Sequence, residues 1–232
     1  MNVALIGHGR LGKLLSKYLG RDFNLLILDQ NKSEIDLEKL KSCQTVIFCV
    51  PISILPDAIK EVSPFLTKDT LVLDTCSVKE WPIDQMKNLL PENVQILGTH
   101  PMFGPDSVKD TLFGTKLVLC PERVKQERLD EIIHYFQNHG IRIITTTASE
   151  HDRQMSSSLL LSHFIGKGLL EFGAKEQEID TKGYRRLLRI LETVQNDSNT
   201  LFRDMFRYNK FAKATLQRFL ESLKTAQKLI ED

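Results

Sequence analysis

A glycine-rich hexapeptide near the start of the chain, Gly7-His8-Gly9-Arg10-Leu11-Gly12, and a histidine far along it, His100 in Gly98-Thr99-His100-Pro101-Met102-Phe103-Gly104-Pro105, are the residues that could do chemistry together. An imidazole titrates near ~6.5 when unperturbed, so it can take a proton from an alcohol at neutral pH. A glycine loop of this spacing can hold a nicotinamide dinucleotide, which would take the matching hydride. The competing reading of His100 is an ordinary core histidine.

The elements around the loop decide whether the motif has meaning. Val3-Ala4-Leu5-Ile6 precedes it as a short apolar strand, and Leu14, Leu15 and Tyr18 follow at helical spacing. In such a strand-turn-helix the first glycine permits the bend, the second admits a pyrophosphate and the third lets helix and strand pack closely. The helix amino terminus then offers free N–H groups and partial positive charge to the phosphates. A second strand, Phe23 to Leu28, ends at Asp29, 17 residues beyond Gly12. A carboxylate there accepts hydrogen bonds from the ribose hydroxyls and repels a 2′-phosphate, so NAD is favoured, with Lys32 nearby keeping NADP as an alternative. A solvated turn acid is the plainer reading of Asp29.

The alternation continues with strands at Thr45–Val50, Thr70–Asp74, Val94–Leu97, Lys116–Leu119 and Ile141–Thr145. Helices fall at Ile54–Val62, Lys79–Leu90 and Glu127–Asn138. Short apolar strands separated by helices predict an α/β, Rossmann-like, mostly parallel sheet covered on both faces. Ligands of such sheets collect outside the carboxyl ends of the strands. That selects the loop beginning at Val50-Pro51, the loop Asp74-Thr75-Cys76-Ser77-Val78-Lys79, and the loop holding His100. Ser77 has two readings there: the N-cap of the next helix, or a hydroxyl bridging a substrate and His100.

Beyond Thr147 the pattern changes. Ser149 to Ile230 contains no proline and four glycines, with apolar residues at helical intervals. Residues 1–147 therefore read as the dinucleotide-binding domain and 148–232 as a smaller all-helical domain for substrate binding and dimerisation. A helical piece that size is small for independent stability, so a homodimer is expected. Thirty-one basic residues against thirty acidic ones, with no long run of either sign, give no reason to expect nucleic acid or an anionic membrane. No apolar stretch approaches a membrane span, and Val3–Ile6 is too short for a signal-peptide core. The four cysteines, Cys43, Cys49, Cys76 and Cys120, lack C-x-x-C spacing, so reduced thiols and a cytoplasmic location are expected.

Four separated stretches, Gly7–Gly12, Asp74–Lys79, Gly98–Pro105 and Glu150-His151-Asp152, occur in the order found in the prephenate/arogenate dehydrogenase family, which the chain resembles nearly end to end. Gly98–Pro105, Thr181–Tyr184 and Ser158–Gly166 with its His163 are similar to the arogenate-type branch of plants and cyanobacteria, and Leu201–Asn209 to a Leu-Trp-Arg-Asp-Ile stretch of bacterial members. The resemblance implies oxidative decarboxylation of a cyclohexadienol, with hydride leaving ring C4 for nicotinamide. His100 matches the base, Ser77 the serine that hydrogen-bonds it and the substrate hydroxyl, and His151 a second histidine near the substrate. No fused mutase or sizeable regulatory domain fits in this length, so any feedback would act at the active site.

A buried dianionic substrate needs a cation, and a guanidinium grips carboxylate well. Arg189 takes this role by resemblance to a Phe-Arg-Asp-x-Thr-Arg-Ile stretch, from which the chain departs at Arg186 and Leu188; Arg185 and Arg203 are the alternatives. Asp197 stands where the arogenate-type branch carries an acid that would attract the substrate ammonium. It could instead cap a helix. His134 and His139 read as surface residues and His8 as a loop residue near cofactor. His151 and His163, 12 apart, fall on different faces of an ideal helix, and no metal site is expected. Another Rossmann dehydrogenase or imine reductase, or a non-enzymatic NAD-binding dimer, would use the same glycine loop.

Overall fold

The computed structural model describes residues 1–30, 33–108 and 111–231; Lys32, which bore on cofactor choice, lies outside them. The chain forms two compact units, Met1–His151 and Asp152–Asp232. The first alternates β1 (Asn2–Ile6), α1 (Arg10–Leu19), β2 (Asn24–Leu28), α2 (Glu34–Glu38), β3 (Thr45–Phe48), α3 (Leu55–Val62), β4 (Leu71–Asp74), α4 (Glu80–Leu89), β5 (Gln95–Pro101), β6 (Lys116–Arg123), α5 (Gln126–Asn138) and β7 (Arg142–Thr145). All seven strands form one sheet in the order β2-β1-β3-β4-β5-β6-β7.

The apolar runs become central strands because each can be covered on both faces. Ala4, Leu5, Val46, Phe48, Val72, Ile96 and Leu97 are inaccessible to solvent. In α1 the buried residues Gly12, Leu15 and Leu19 recur at helical spacing and face the sheet. Every neighbouring pair is parallel except β5 with β6. That exception corrects the expected end of β5. The antiparallel β6 supplies partners beyond Leu97, pairing His100 with Val118 and Pro101 with Leu117. His100 therefore sits inside the last turn of pleat of a strand, where its backbone is fixed by a ladder, and not in the loop that follows.

Helix α6 (Ala148–Ser157) carries the division between the units, which falls within it just beyond the expected border at 147. The second unit continues with α7 (Leu159–Phe172), α8 (Lys182–Val194), α9 (Asn199–Arg207) and α10 (Ala212–Glu231), all helical as expected. A new helix begins at Leu159, so residues 151–163 are not the single ideal helix on which His151 and His163 were compared. Buried Leu160, Leu191, Val194, Met205 and Ala212 form its core. Buried Asn209 braces it, its Nδ2 donating to the Asp152 carbonyl at 2.8 Å while its Oδ1 accepts from Phe211 N at 2.9 Å. Between α7 and α8 the contact depends on Gly166, where a Cβ would overlap Val194 Cγ2 and come within 3.2 Å of the Ile190 carbonyl oxygen.

Two glycines of α7 should therefore respond oppositely to alanine. Gly166→Ala forces α8 outward and is expected to destabilise by ~1–3 kcal/mol. Gly168, with nothing within 4 Å of an added Cβ, should gain about 0.5–1 kcal/mol as alanine from helix propensity. Urea titration followed by circular dichroism measures both; equal signs would contradict the packing described.

None of the four cysteines is in a disulfide. Burial pushes the Cys49 thiol up to about 12. Burial and then the Asp74 charge hold Cys76 well above the ordinary thiol range. An unfolded thiol releases its proton near pH 9 while these keep theirs, so their contribution to stability is complete below that pH and is lost as pH rises towards 12. The unfolding free energy from urea titration is expected to fall from pH 9 upward, by at most ~1.4 kcal/mol per pH unit per thiol. Cys49→Ala should flatten the decline; an unchanged slope would contradict this account.

Candidate active site

At the carboxyl end of the sheet β2 and β3 leave β1 on opposite sides, which makes the end of β1 the topological switch point. Gly7 begins the turn there with φ of +97°, its N–H donating to the Leu28 carbonyl at 2.7 Å. A Cβ on Gly7 would come within 2.5 Å of the Cys49 carbonyl oxygen, and one on Gly12 would overlap the Gly7 oxygen. These two glycines let strand ends and helix start converge. Gly9 does something different: it is the N-cap of α1, makes no side-chain cap bond, and has nothing within 4 Å of an added Cβ. The first-turn N–H groups, which have no partner within the helix, and the positive end of α1 thus face clear space suited to a pyrophosphate.

The other expected cofactor residues gather around this cradle. Exposed Asp29 directly follows Leu28, whose carbonyl holds Gly7, so it stands at the lip of the loop. Val50 and Pro51 follow β3, with Val50 Cγ1 3.1 Å from the position of a Gly7 Cβ. Leu11 is part-buried at the start of α1. The His8 ring lies on α1, Nε2 3.2 Å from the Ser16 hydroxyl. Arg10 donates from one guanidinium nitrogen to both Asp106 carboxylate oxygens, at 2.7 and 2.8 Å, tying the cradle to the segment after β5.

His100, 6% exposed, has Nδ1 2.8 Å from Nε2 of His151, which is 2% exposed. Their rings meet edge to face at 5.1 Å. A nitrogen-to-nitrogen hydrogen bond needs one donor and one acceptor, so it fixes complementary tautomers on the two rings. The partner expected for His100 was Ser77. Instead the Ser77 Oγ is buried with no hydrogen-bond partner among the described residues. Nor does Ser77 cap α4: the N-cap is Lys79, without a side-chain cap bond, because the turn from β4 delays the helix until Glu80. A buried hydroxyl left without a partner costs free energy and invites a ligand atom to complete it.

Two residues of that turn were quoted in the sequence motif without a role. Asp74 and Lys79 form an ion pair with no exposed side-chain surface. Lys79 Nζ also donates to the Thr99 carbonyl at 2.5 Å. Asp74 Oδ1 accepts from Cys76 N at 2.8 Å, Asp74 Oδ2 from Thr99 N at 3.4 Å, and the Asp74 carbonyl from Thr99 Oγ1 at 2.5 Å. The signal in the sequence was an acid closing an apolar strand with a lysine five residues on, both unsuited to a core unless paired.

In the second unit, Arg189 and Arg203 are exposed on α8 and α9, while Arg185 donates to Asp180 at 2.7 Å. Asp197 does not cap α9, since Ser198 does so by accepting from Leu201 N at 3.1 Å. Its carboxylate lies 3.1 Å from Nε2 of His163, a neighbour that the sequence reading did not give it. His163 Nδ1 is 2.9 Å from the Leu159 carbonyl, and Lys167 Nζ donates to the Asp197 carbonyl at 3.2 Å.

Comparison with known proteins places this arrangement. The family profile described as prephenate dehydrogenase, nucleotide-binding domain, matches residues 20–145, and a TYRAAT1-like C-terminal domain profile matches 168–232. Arogenate dehydrogenase 2, chloroplastic, of Arabidopsis thaliana is 30% identical across 98% of this chain and 69% of its own length. A probable arogenate/prephenate dehydrogenase of Methanocaldococcus jannaschii is 26% identical across 100% of this chain and 57% of its own length. Arabidopsis arogenate dehydrogenase 1, of which the chain spans only 39%, is also 30% identical. Among solved structures, prephenate dehydrogenase from A. aeolicus in complex with hydroxyphenyl propionate and NAD+ superposes with TM-score 0.76 at 21% identity, covering 99% of this chain and 90% of that one. Synechocystis arogenate dehydrogenase gives 0.72 at 21%, covering 100% and 92%. These structures share the fold, and the profile and the Arabidopsis relative carry the kinship: the chain belongs to the prephenate/arogenate dehydrogenase family.

Proposed function

We propose that the chain catalyses NAD-dependent oxidative decarboxylation of a cyclohexadienol, arogenate or prephenate, in tyrosine biosynthesis. The observation that carries the reading is the buried His100–His151 pair on the same unit as a fitted dinucleotide cradle and the unpartnered Ser77 hydroxyl. NAD bound at Gly7–Gly12 supplies the hydride acceptor. With Nδ1 of His100 committed to His151, proton transfer falls to Nε2, which accepts the C4 hydroxyl proton as the C4 hydride departs. The electron pair of the breaking ring–carboxylate bond then enters the ring, carbon dioxide leaves, and the C4 oxygen regains a proton as the phenol. Ser77 Oγ is assigned to the substrate hydroxyl, and His151 acts through His100 and fixes its tautomer. Asp29 holds the ribose, and Arg189 is assigned to the ring carboxylate.

Relatives named for arogenate support that substrate, and Asp197 supplies the charge its ammonium would recognise. A second copy of the chain is the partner proposed for the helical unit, where Phe172, Ile179 and Leu229 are largely exposed. The unbridged thiols support a reducing, cytoplasmic setting. No helix among the described residues is long and apolar enough to cross a membrane.

Absorbance of reduced nicotinamide, with arogenate or prephenate plus NAD, is the direct assay; turnover of neither would remove the proposal. His100→Ala should lower turnover by ~10²–10⁴ while NAD affinity is kept. The reverse pattern, weak NAD binding with normal turnover, contradicts its role as base. Asp197→Asn should reduce preference for arogenate over prephenate by about 10- to 100-fold, as expected for a lost charge-assisted hydrogen bond. An unchanged preference would sink the ammonium assignment.

A further inference from the structure

We propose that Asp74 and Lys79 are positioning residues for the base, setting the placement of His100 and Ser77 together; this rests on reading His100 as the base. The chemistry sits in what the pair holds. The Lys79 ammonium grips the carbonyl of Thr99, the residue joined to His100 by the next peptide bond. Asp74 holds the amide N–H of the same Thr99 through Oδ2, and its backbone carbonyl takes the Thr99 hydroxyl. Through Oδ1 it also holds Cys76 N, fixing the turn that delivers Ser77. Thr75 in that turn donates its hydroxyl to the Phe48 carbonyl at 3.0 Å, so the end of β3, beside the cradle, joins the same frame.

A core has no need of charge for this. Two buried ions must shed their water, and apolar side chains of similar volume often serve stability as well or better. What the ions provide and apolar groups do not is directional grip on three backbone groups at once: Thr99 C=O, Thr99 N–H and Cys76 N–H. Those groups flank the base and the hydroxyl and no other expected substrate residue. The strand ladder fixes His100 along β5, and the ion pair adds a side-chain grip on the Thr99 peptide that precedes it.

The test compares Asp74→Asn, Lys79→Met and the double variant Asp74→Leu/Lys79→Met with the parent in urea denaturation and in steady-state kinetics over pH. Each single variant strands a buried polar partner and is expected to unfold at lower urea. The double variant, which removes both charges, is expected to regain part of the lost midpoint, short of the parent because the Thr99 and Cys76 backbone groups lose those partners, while kcat stays about 10- to 100-fold low. Its KM for NAD should hold within about twofold, and the acid limb of kcat/KM, which reports the base, should move. Recovery of both midpoint and kcat would overturn the proposal. So would a double variant that cannot fold, because the pair would then hold the sheet and not the base; a folded Asp74→Asn with parental kcat and acid limb overturns it equally. If the parent turns over neither substrate, the function reading fails by itself. The imidazole ¹⁵N resonances of His100 then decide this one: they should shift in the double variant, and unchanged resonances refute it.

Discussion

An ion pair with no contact to water, Asp74 with Lys79, is the constraint on which the carboxyl edge of the sheet depends. Each charge would be intolerable alone at this depth, so the turn between β4 and α4 has to close until the two meet. Closing it orients Cys76 and Thr99 as additional hydrogen-bond partners, and those are the neighbours of Ser77 and His100. The same closure displaces the start of α4 to Glu80, which leaves Ser77 in a turn with its hydroxyl unsatisfied. A single electrostatic requirement thus shapes both the backbone that leads into His100 and the turn that carries Ser77.

The cradle at the end of β1 rests on a steric constraint. Three strand ends approach so closely that no side chain fits at Gly7, and α1 begins so near the turn that none fits at Gly12. The crowding is what aims the amino terminus of α1 outward past Gly9, where there is space. Arg10, committed to both oxygens of Asp106, links this rim to the segment that follows β5, so the cradle and the strand bearing His100 are tied by a charge-assisted contact half in solvent. Being exposed, that contact contributes little stability and can be exchanged at small cost when an anion arrives.

In the helical unit the polar chemistry is local and coupled. Asp197 is shared between the His163 ring and, through its carbonyl, Lys167, so the acid comes with two nitrogen donors from α7 already in place. A ligand ammonium must therefore compete with an imidazole for the carboxylate. The close approach of α7 and α8 at Gly166 is what brings the loop after Val194 near those side chains.

The amino-acid sequence by itself determined the alternation of strands and helices, the glycine cradle, the acid after β2 and the helical character of everything past Thr147, because period, glycine spacing and apolar runs are local properties. It also marked His100, Ser77 and His151 through motifs in order. Only the tertiary structure decided who touches whom. His100 meets His151 and not Ser77; Asp197 meets His163 and Ser198 takes the cap; β5 runs on through His100 because an antiparallel neighbour offers it hydrogen bonds. Asp74 and Lys79 passed as unassigned members of a motif because a charge pair announces itself only when both ends are buried, and burial is a property of the packed whole.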